Sequence, residues 1–401
     1  MIRILYTALL LLVLASCQKN QTLKDGQYVI RFAAQGSSIP VRLDIDDGAW
    51  KIINASDTLL LTAEQVTKDS LVLKTPLFQS YLHVYLGEGN SCRGTWYDRS
   101  RSGSYQVGLT IEERTVESAF NSITREENYD VDFSPGTADS SRAIGSFHVK
   151  NGVVQGTFMT ESGDYRFLGG EWKNDSMYVS CFDGAHLFYF SASIDENRLY
   201  NGVFISGNQW RETWEGVASP TAQLQDPDAI TTLRDTSAAF TFTVRAMTGD
   251  VVTFDSSRFA NHVTIVQLFG SWCPNCTDES KLFKELYEEY KTKGLQIIPV
   301  AFERLDDITV AKKTIEAQFQ EIGITYPAYF GGKSSKEHAA SVFSQLSGVS
   351  SYPTSLFIDH RGGVQKIHTG FYGPGTGNAY NIHRERIHAC VDRLIQESQI
   401  H

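Results

Sequence analysis

The hydrophobic pattern changes once along the 401-residue chain, and this change limits the fold more than any other sequence feature. Residues 22–216 consist of short runs rich in Val, Ile, Tyr, Phe and Thr, separated by Gly, Asn and Asp. Such runs are typical of antiparallel strands. Over residues 238–401, strand-like runs alternate with segments of helical periodicity, which is typical of a sheet covered by helices. The sequence therefore predicts a multidomain protein in which residues 217–237, containing Pro220 and Pro227, are the linker.

The β-rich segment contains a weak internal similarity. Residues 68–98 align with residues 174–206: in both, Asp-Ser opens a strand, an aromatic-rich strand follows, and a third strand contains a glycine, Gly94 or Gly202. The similarity either reflects two related antiparallel sheets or follows from the composition of β-hairpins. In the first case, residues 22–216 should form an antiparallel β domain that is a sandwich or a flattened barrel.

The second half predicts a central sheet with helices on both faces. Its strand-like runs are "HVTIVQLFG", "LQIIPVAFE", "YPTSLFID" and "VQKIHTGF", preceded by an entry hairpin in "AFTFTVRAMTGDVVTF". Helical spacing runs from about Pro274 to Lys293, through "ITVAKKTIEAQFQEIG", through the short "KEHAASVFSQLSG" and through the C-terminal segment. We expect Gly294 to end the first of these helices.

The N-terminus predicts export rather than a folded element. Arg3 precedes an apolar run that is long enough for a signal peptide but short for a membrane span. The run ends in "LASC", which resembles a bacterial lipobox. The resemblance implies that residues 1–16 are a signal peptide, that Cys17 is lipidated, and that residues 17–21 tether a periplasm-facing protein to a membrane of the cell envelope. An ordinary secretory signal with a chance cysteine is the alternative.

Charge and ligand spacing argue against two classes of function. The formal net charge of −10 does not suit a nucleic-acid-binding surface, so we expect no nucleic-acid partner. Zinc requires four ligands, and one CxxC pair supplies two. His383 and His388 are five residues apart on a predicted helix, which turns their rings about 140° away from each other. We therefore expect no metal site.

The pair Cys273 and Cys276 in "FGSWCPNCTDES" carries the chemistry of the second half. A CxxC bridge closes so short a loop that it would stabilise the fold little as a static staple. Cys273 instead lies where a buried strand gives way to a helix, and Pro274 suits the first helical position. The positive end of a helix lowers a cysteine pKa from about 8.5 to about 3.5–7.5. The spacing therefore predicts a redox-active disulfide that needs no other cofactor.

Several motifs together resemble the thioredoxin fold, and in particular the membrane-tethered TlpA/ResA type of thiol–disulfide oxidoreductase. They are "WCPNC" after a buried strand, "YP" before "TSLFID", and the hairpin at "HRGG". The resemblance covers about residues 238–401 and implies an α/β thioredoxin-like fold. It also implies that Pro353 is a cis-proline, with Tyr352 and Thr354 beside it, which positions an extended substrate near Cys273. A trans proline opening an edge strand is the alternative.

The resemblance also suggests residues that tune the disulfide. Glu303 follows "IIPVAF", where ResA-like proteins carry an acid that could exchange protons with Cys276; a solvated loop carboxylate is the alternative. Trp272 is expected to cover one side of the disulfide. Many relatives have proline directly before the second cysteine, whereas here Pro274 precedes Asn275. Residues between the cysteines tune the potential, so this departure leaves the direction of electron flow open.

The implied activity is reduction of disulfides in envelope proteins, with electrons from a membrane thiol donor. Cys273 would attack the substrate, and Cys276 would resolve the mixed disulfide. One alternative is a thiol peroxidase of the peroxiredoxin type, against which the residues preceding Cys273 argue. Another is a ligand-binding lipoprotein with an accessory redox domain. The remaining thiols, Cys92, Cys181 and Cys390, are expected to be buried and inert, although a Cys92–Cys181 bridge is an alternative.

Overall fold

The computed structural model describes residues 23–87, 91–101, 105–115 and 124–400. These residues form two β-barrels followed by a mixed sheet with helices. The predicted signal peptide and the tether with Cys17 lie outside the described residues. Within the described ranges, no helix has the length and apolar character needed to cross a bilayer.

The first barrel is an eight-stranded antiparallel meander in which each strand pairs with the next and the last pairs with the first. Alternate side chains of the first strand, including Tyr28, Ile30 and Phe32, are buried inside it, as the two-residue period of a strand requires. The strands are β1 (Gly26–Ala34), β2 (Ser37–Asp46), β3 (Ala49–Asn54), β4 (Asp57–Thr67), β5 (Ser70–Lys74), β6 (Ser80–Leu86), β7 (Cys92–Asp98) and β8 (Gln106–Glu113).

The second barrel closes in the same way. Its first strand pairs with both its second and its last strand. A two-residue strand, β12, pairs with the end of β11 outside the ring of eight. The strands are β9 (Thr124–Phe133), β10 (Ser141–Lys150), β11 (Val153–Thr160), β12 (Gly163–Asp164), β13 (Leu168–Lys173), β14 (Ser176–Phe182), β15 (Leu187–Asp195), β16 (Arg198–Ser206) and β17 (Trp210–Ala218).

The internal similarity maps onto equivalent strands of the two barrels. Residues 68–98 contain β5 to β7, and residues 174–206 contain β14 to β16; each set is the fifth to seventh strand of its ring. Gly94 and Gly202 lie in the seventh strands, where an added Cβ would collide with a carbonyl oxygen of the neighbouring strand. The prediction of antiparallel β structure is confirmed, as two closed barrels rather than as a sandwich.

The barrels are packed against each other through an aromatic contact. Phe182 of the second barrel stacks on Phe32 of the first at 5.1 Å between ring centroids and meets Trp96 edge-on at 5.0 Å. The Asn54 side chain forms hydrogen bonds of 2.9 and 3.0 Å with the backbone of Phe182, so the amide is satisfied although it is buried. None of Cys92, Cys181 and Cys390 forms a disulfide. Cys92 and Cys181 are buried, as predicted, whereas Cys390 is only partly buried, so the prediction of burial was wrong for that residue.

The C-terminal sheet has seven strands in the order β19-β18-β22-β21-β20-β23-β24. The three central strands β20, β21 and β22 are parallel, and β23 and β24 continue the sheet antiparallel. Strand β22, which contains two glycines, was not expected from the sequence. The strands are β18 (Phe242–Ala246), β19 (Val251–Phe254), β20 (Val263–Phe269), β21 (Leu295–Glu303), β22 (Tyr329–Lys333), β23 (Thr354–Ile358) and β24 (Val364–Thr369).

Helices cover both faces of this sheet, as predicted. Along β20, Ile265 packs with residues of α2, α3 and α5, whereas Val266 packs on the other face with residues of α1 and α4. Gly294 adopts the left-handed conformation after α2 and its terminal 3₁₀ turn, residues 291–293. The helices are α1 (Ser256–Phe259), α2 (Pro274–Tyr290), α3 (Ile308–Ile322), α4 (Lys336–Val342) and α5 (Asn378–Gln399).

The segment predicted as a linker is hydrogen-bonded to the C-terminal domain at several points. The Pro227 carbonyl accepts a hydrogen bond of 3.1 Å from Thr369 N, and Leu233 forms an isolated bridge with Leu346. These contacts satisfy backbone groups of the segment and of the C-terminal domain. Since the segment follows directly on the last strand of the second barrel, they keep that barrel close to the C-terminal domain.

Candidate active site

Cys273 is the N-cap of α2. Its backbone is extended (φ −105°, ψ 109°), and its sulfur lies 3.2 Å from the Cys276 N–H, which points along the helix axis toward it. Pro274 occupies the first helical position, where no N–H is needed. The two cysteines form a disulfide. The sulfur of Cys273 is therefore held at the positive end of the helix, the position that favours its thiolate after reduction.

The loop before β23 lies beside this sulfur. The Tyr352–Pro353 peptide bond is cis, and the Tyr352 carbonyl oxygen lies 3.7 Å from Cys273 Sγ. Thr354 is fully buried and donates a 2.8 Å hydrogen bond to the Ser351 carbonyl, which fixes the loop as it enters the sheet. The three residues for which we predicted substrate positioning are therefore within one short segment next to Cys273.

Trp272 is held by the neighbouring strand. Its indole Nε1 donates to the Phe302 carbonyl at 3.0 Å, and its ring meets the Tyr352 ring edge-on at 6.0 Å between centroids. The guanidinium of Arg304 lies 4.7 Å from the Trp272 ring centroid, a cation–π distance. Gly270 allows this arrangement, since an added Cβ there would lie 2.3 Å from the indole nitrogen.

Glu303 is buried at the end of β21 and is hydrogen-bonded to Ser271, two residues before Cys273. Its carboxylate accepts hydrogen bonds from Ser271 N at 2.9 Å and from Ser271 Oγ at 2.8 Å. Burial raises the pKa of Glu303, while the bonds from Ser271 lower it in part. The carboxyl thus fixes the residue that precedes Trp272; its predicted role in proton transfer to Cys276 stays a prediction.

Glu279 is a second buried acid, and the sequence analysis missed it. It follows Cys276 by three residues on α2 and is fully buried. Gln267 Nε2 lies 2.9 Å from Glu279 Oε2 and 3.3 Å from the Cys276 carbonyl oxygen, so one amide joins the acid to the second cysteine. Burial raises the pKa of Glu279 to about 8, which keeps the carboxyl protonated at neutral pH. A glutamine inside the apolar run "HVTIVQLFG" was the available signal, because a buried amide requires a polar partner.

Comparison with known proteins identifies the domain that contains this site. Residues 236–367 match the AhpC/TSA family. The C-terminal part of the chain is a thioredoxin-like domain. The thiol-disulfide oxidoreductase ResA of Geobacillus thermodenitrificans is 29% identical to this chain over 105 residues, which cover 26% of this chain and 53% of that protein. The thioredoxin-like fold and the similarity to the ResA type, both predicted above, are confirmed for this domain.

Two further proteins are similar to part of the chain. The thioredoxin-like protein YneN of Bacillus subtilis is 26% identical over 129 residues, 32% of this chain and 68% of that protein. A solved thiol:disulfide interchange protein of Chlorobium tepidum is 19% identical, with a TM-score of 0.30, and the match covers 42% of this chain and 99% of that structure. The chain spans about half the length of the curated ResA protein of Geobacillus thermodenitrificans.

Both barrels contact the thioredoxin-like domain close to the disulfide. From the first barrel, Asp98 lies 3.6 Å from Arg304, the residue above Trp272, and Ser100 Oγ accepts a 2.8 Å hydrogen bond from the same guanidinium. From the second barrel, the Asp164 carbonyl accepts a 3.1 Å hydrogen bond from the side chain of Asn275, between the two cysteines. None of these barrel residues could be associated with the site from sequence, because the contacts join segments more than 100 residues apart.

A buried group of charges lies where the second barrel meets α2. Arg166 forms an ion pair with Asp278 and lies 3.9 Å from Asp183. Asp164 is also buried, and this burial raises its pKa to about 6, although Arg166 opposes the shift. Arg166 supplies the positive charge that three buried carboxyls require. In the described part of the chain, no group of three or more His, Cys, Asp or Glu side chains has the arrangement of a metal site.

Proposed function

We propose that this protein is a thiol–disulfide oxidoreductase that reduces disulfides of cell-envelope proteins. The observation that carries the proposal is the disulfide between an N-cap cysteine and a cysteine in the first turn of α2, with the Tyr352 carbonyl 3.7 Å from the first sulfur. The ResA relatives, whose names state thiol-disulfide oxidoreductase activity, support it.

The reduced enzyme would act in two exchange steps. The Cys273 thiolate attacks one substrate sulfur, a mixed disulfide forms, and the other substrate sulfur leaves as a thiolate that takes up a proton. The Cys276 thiol then loses its proton and attacks Cys273 Sγ, which releases the second substrate thiol and re-forms the Cys273–Cys276 disulfide. Two electrons pass to the substrate, so each cycle needs two electrons from a dithiol donor; we propose a membrane thiol protein as that donor.

The surrounding residues would support these steps. We propose that Glu279, which is joined to the Cys276 carbonyl through Gln267, holds the proton that the Cys276 thiol gains and loses. Glu303, Trp272 and the residues between the cysteines would set the geometry and the potential of the couple. Tyr352, Pro353 and Thr354 would align an extended substrate beside Cys273. No cofactor besides the disulfide is required.

Trapping of the mixed disulfide tests the proposal. Full-length Cys276→Ala protein, reduced and then incubated with an envelope extract, should form adducts at Cys273 that dithiothreitol releases and mass spectrometry identifies. Cys273→Ser is the matched control and should form none. If Cys276→Ala captures no protein while the wild-type chain consumes hydrogen peroxide, the thiol-peroxidase alternative replaces this proposal.

We further propose that Cys17 is lipidated and attaches the protein to a bacterial membrane, facing the periplasm. The "LASC" sequence after an apolar run supports this proposal. Full-length protein expressed in a bacterium with a labelled fatty acid should carry the label in the membrane fraction, and Cys17→Ala should remove it. Label retained by Cys17→Ala would overturn the lipid anchor without affecting the proposed redox chemistry.

A further inference from the structure

One segment of the second barrel lies across the active site. This barrel segment, residues 160–166, connects β11 to β13 and contains β12. Its Ser162 carbonyl accepts a 3.2 Å hydrogen bond from Ser351 Oγ in the cis-proline loop. Its Asp164 carbonyl accepts from Asn275 at 3.1 Å. The segment is therefore bonded both to the loop before Pro353 and to the residue between the two cysteines.

Gly163 shows how closely the barrel segment approaches the disulfide loop. The glycine has φ +141°, and a Cβ at this position would lie 2.3 Å from Asn275 Nδ2 and 3.1 Å from the Phe371 carbonyl oxygen. Only glycine combines this backbone conformation with so little space. The position therefore requires a residue without a side chain because the barrel segment is seated on the thioredoxin-like domain.

Buried polar contacts hold the segment in place. Asp164 Oδ1 accepts a 2.8 Å hydrogen bond from Gly373 N, and Asp164 Oδ2 accepts a 2.9 Å bond from Arg166 N. Arg166 in turn pairs with Asp278 of α2, and both of these side chains are largely buried. Breaking a buried ion pair on one side leaves an uncompensated charge in the interior, which is strongly destabilising. These contacts make the seated segment a fixed part of the active site.

What remains open above Cys273 is a small pocket of about 220 Å³. The thioredoxin-like domain contributes Trp272, Cys273 and Tyr352 to its lining, and the second barrel contributes Thr160, His186 and Phe188. Cys273 is only 6% exposed. A folded protein approaches a surface with a broad face, which the barrel segment would meet before any disulfide reached the Cys273 sulfur. We expect only the sulfur-bearing part of a small disulfide or of a flexible chain to fit this space, which is smaller than a pocket for a whole drug-sized ligand.

We propose that the barrel segment determines substrate specificity by admitting small-molecule and flexible-chain disulfides to Cys273 and rejecting disulfides on folded proteins. This inference rests on the proposed oxidoreductase function. The segment acts by obstructing the unwanted class of substrate, and discrimination by obstruction needs no additional attractive contact to the accepted class. It would restrict the envelope substrates of the enzyme to unfolded or locally disordered segments.

Competing reduction rates test the proposal on the full chain. Enzyme reduced with dithiothreitol and freed of it is mixed with oxidised glutathione or with insulin, and the second-order rate constant for the single oxidation of its dithiol is measured for each. We expect wild-type enzyme to favour glutathione by at least ten-fold. Gly163→Ala, whose added methyl group displaces the segment, should raise the rate for insulin at least five-fold more than the rate for glutathione.

The matched control is Gly136→Ala in the same barrel. Gly136 also has a positive φ (+75°), but an added Cβ there meets nothing within 4 Å, so the ratio of the two rates should stay at the wild-type value. Arg166→Gln, which removes the pair with Asp278, is a second opening variant should Gly163→Ala fail to fold. The ratio of the two wild-type rates is a test in itself, because a value near one would overturn the proposal without any variant.

The outcomes separate this inference from the function on which it rests. A wild-type ratio near one, or an equal rise of both rates in Gly163→Ala, would overturn substrate selection by the barrel segment while leaving the oxidoreductase function intact. Absence of any reduction of either disulfide by wild-type enzyme would instead overturn the proposed function.

Discussion

The two barrels share one topology but differ in their relation to the disulfide. Each is a ring of eight antiparallel strands with an apolar and aromatic interior. The first barrel contacts the site indirectly: its Asp98 lies close to Arg304 of the thioredoxin-like domain, and the Arg304 guanidinium lies over the Trp272 ring. The second places residues 160–166 on the cis-proline loop and on Asn275. The difference comes from a single connection: β12 pairs with the end of β11 outside the ring and carries the chain over to the thioredoxin-like domain. A repeated fold therefore tells little about function until its contacts are known.

The largest expected effect compares the cores of the two barrels. Phe32 in the first barrel and Phe158 in the second are fully buried, so replacing either with alanine should lower the free energy of unfolding by about 3–5 kcal/mol. The Phe158 ring meets the Tyr165 ring of the barrel segment edge-on at 6.3 Å between centroids, so Phe158→Ala should also increase reduction of insulin relative to glutathione. Phe32→Ala should leave that ratio unchanged.

Urea unfolding gives the stabilities, and the ratio is measured under conditions in which both variants are folded. An equal change of the ratio in both variants would show that general loosening, and not the barrel segment, controls access to Cys273.

A smaller effect concerns the thioredoxin-like domain itself, where Glu279 is hydrogen-bonded within the domain. Its pKa of about 8 in the folded protein lies above the ordinary value of 4.5, so the folded state keeps a proton up to a higher pH than the unfolded chain does. Stability that is present below about pH 4.5 is therefore lost as the pH rises toward 8. Glu279→Gln carries no such proton. The free energy of unfolding of Glu279→Gln, taken relative to that of wild type, should therefore rise by on the order of 3 kcal/mol from pH 5 to pH 7.5.

The measurement is urea unfolding of both proteins at the two pH values. Glu288→Gln provides the control, since Glu288 is on the same helix but exposed and paired with Lys291. If the difference in the free energy of unfolding between wild type and Glu279→Gln is the same at both pH values, Glu279 is ionised in the folded protein. The assignment of a proton to this site would then be withdrawn.

The smallest effects are expected at ion pairs on the barrel surfaces. The pairs Arg31–Glu112 in the first barrel and Arg142–Asp130 in the second are both substantially exposed. Exposed pairs contribute less than about 1 kcal/mol because water and salt screen them. Glu112→Gln and Asp130→Asn should each shift the unfolding midpoint slightly and leave both reduction rates at the wild-type value. A change in either rate would indicate that the barrels influence the site through long-range charge, beyond the contacts described above.

Local sequence patterns predicted the parts of this protein that depend on neighbouring residues. A buried strand, "WCPNC" and an amphipathic segment together place a cysteine at a helix N-terminus, because cap geometry and helix periodicity are local properties. The antiparallel character of the first half followed in the same way from short β-branched runs. Strand β22 was not predicted because Gly331 and Gly332 give it little strand propensity. It forms a strand because it pairs with β18 and β21 in the sheet.

Tertiary structure alone decided the closure of each barrel, the protonated state of Glu279 and the position of residues 160–166 above Cys273. Closure requires the last strand to meet the first, and no local run specifies that register. Glu279 is one carboxylate among many in the sequence; the burial that raises its pKa comes from packing of α2 on β20. The contact of Asp164 with Asn275 joins residues 111 positions apart. Such contacts arise only when whole domains pack together, and in this protein they decide what can reach the reactive sulfur.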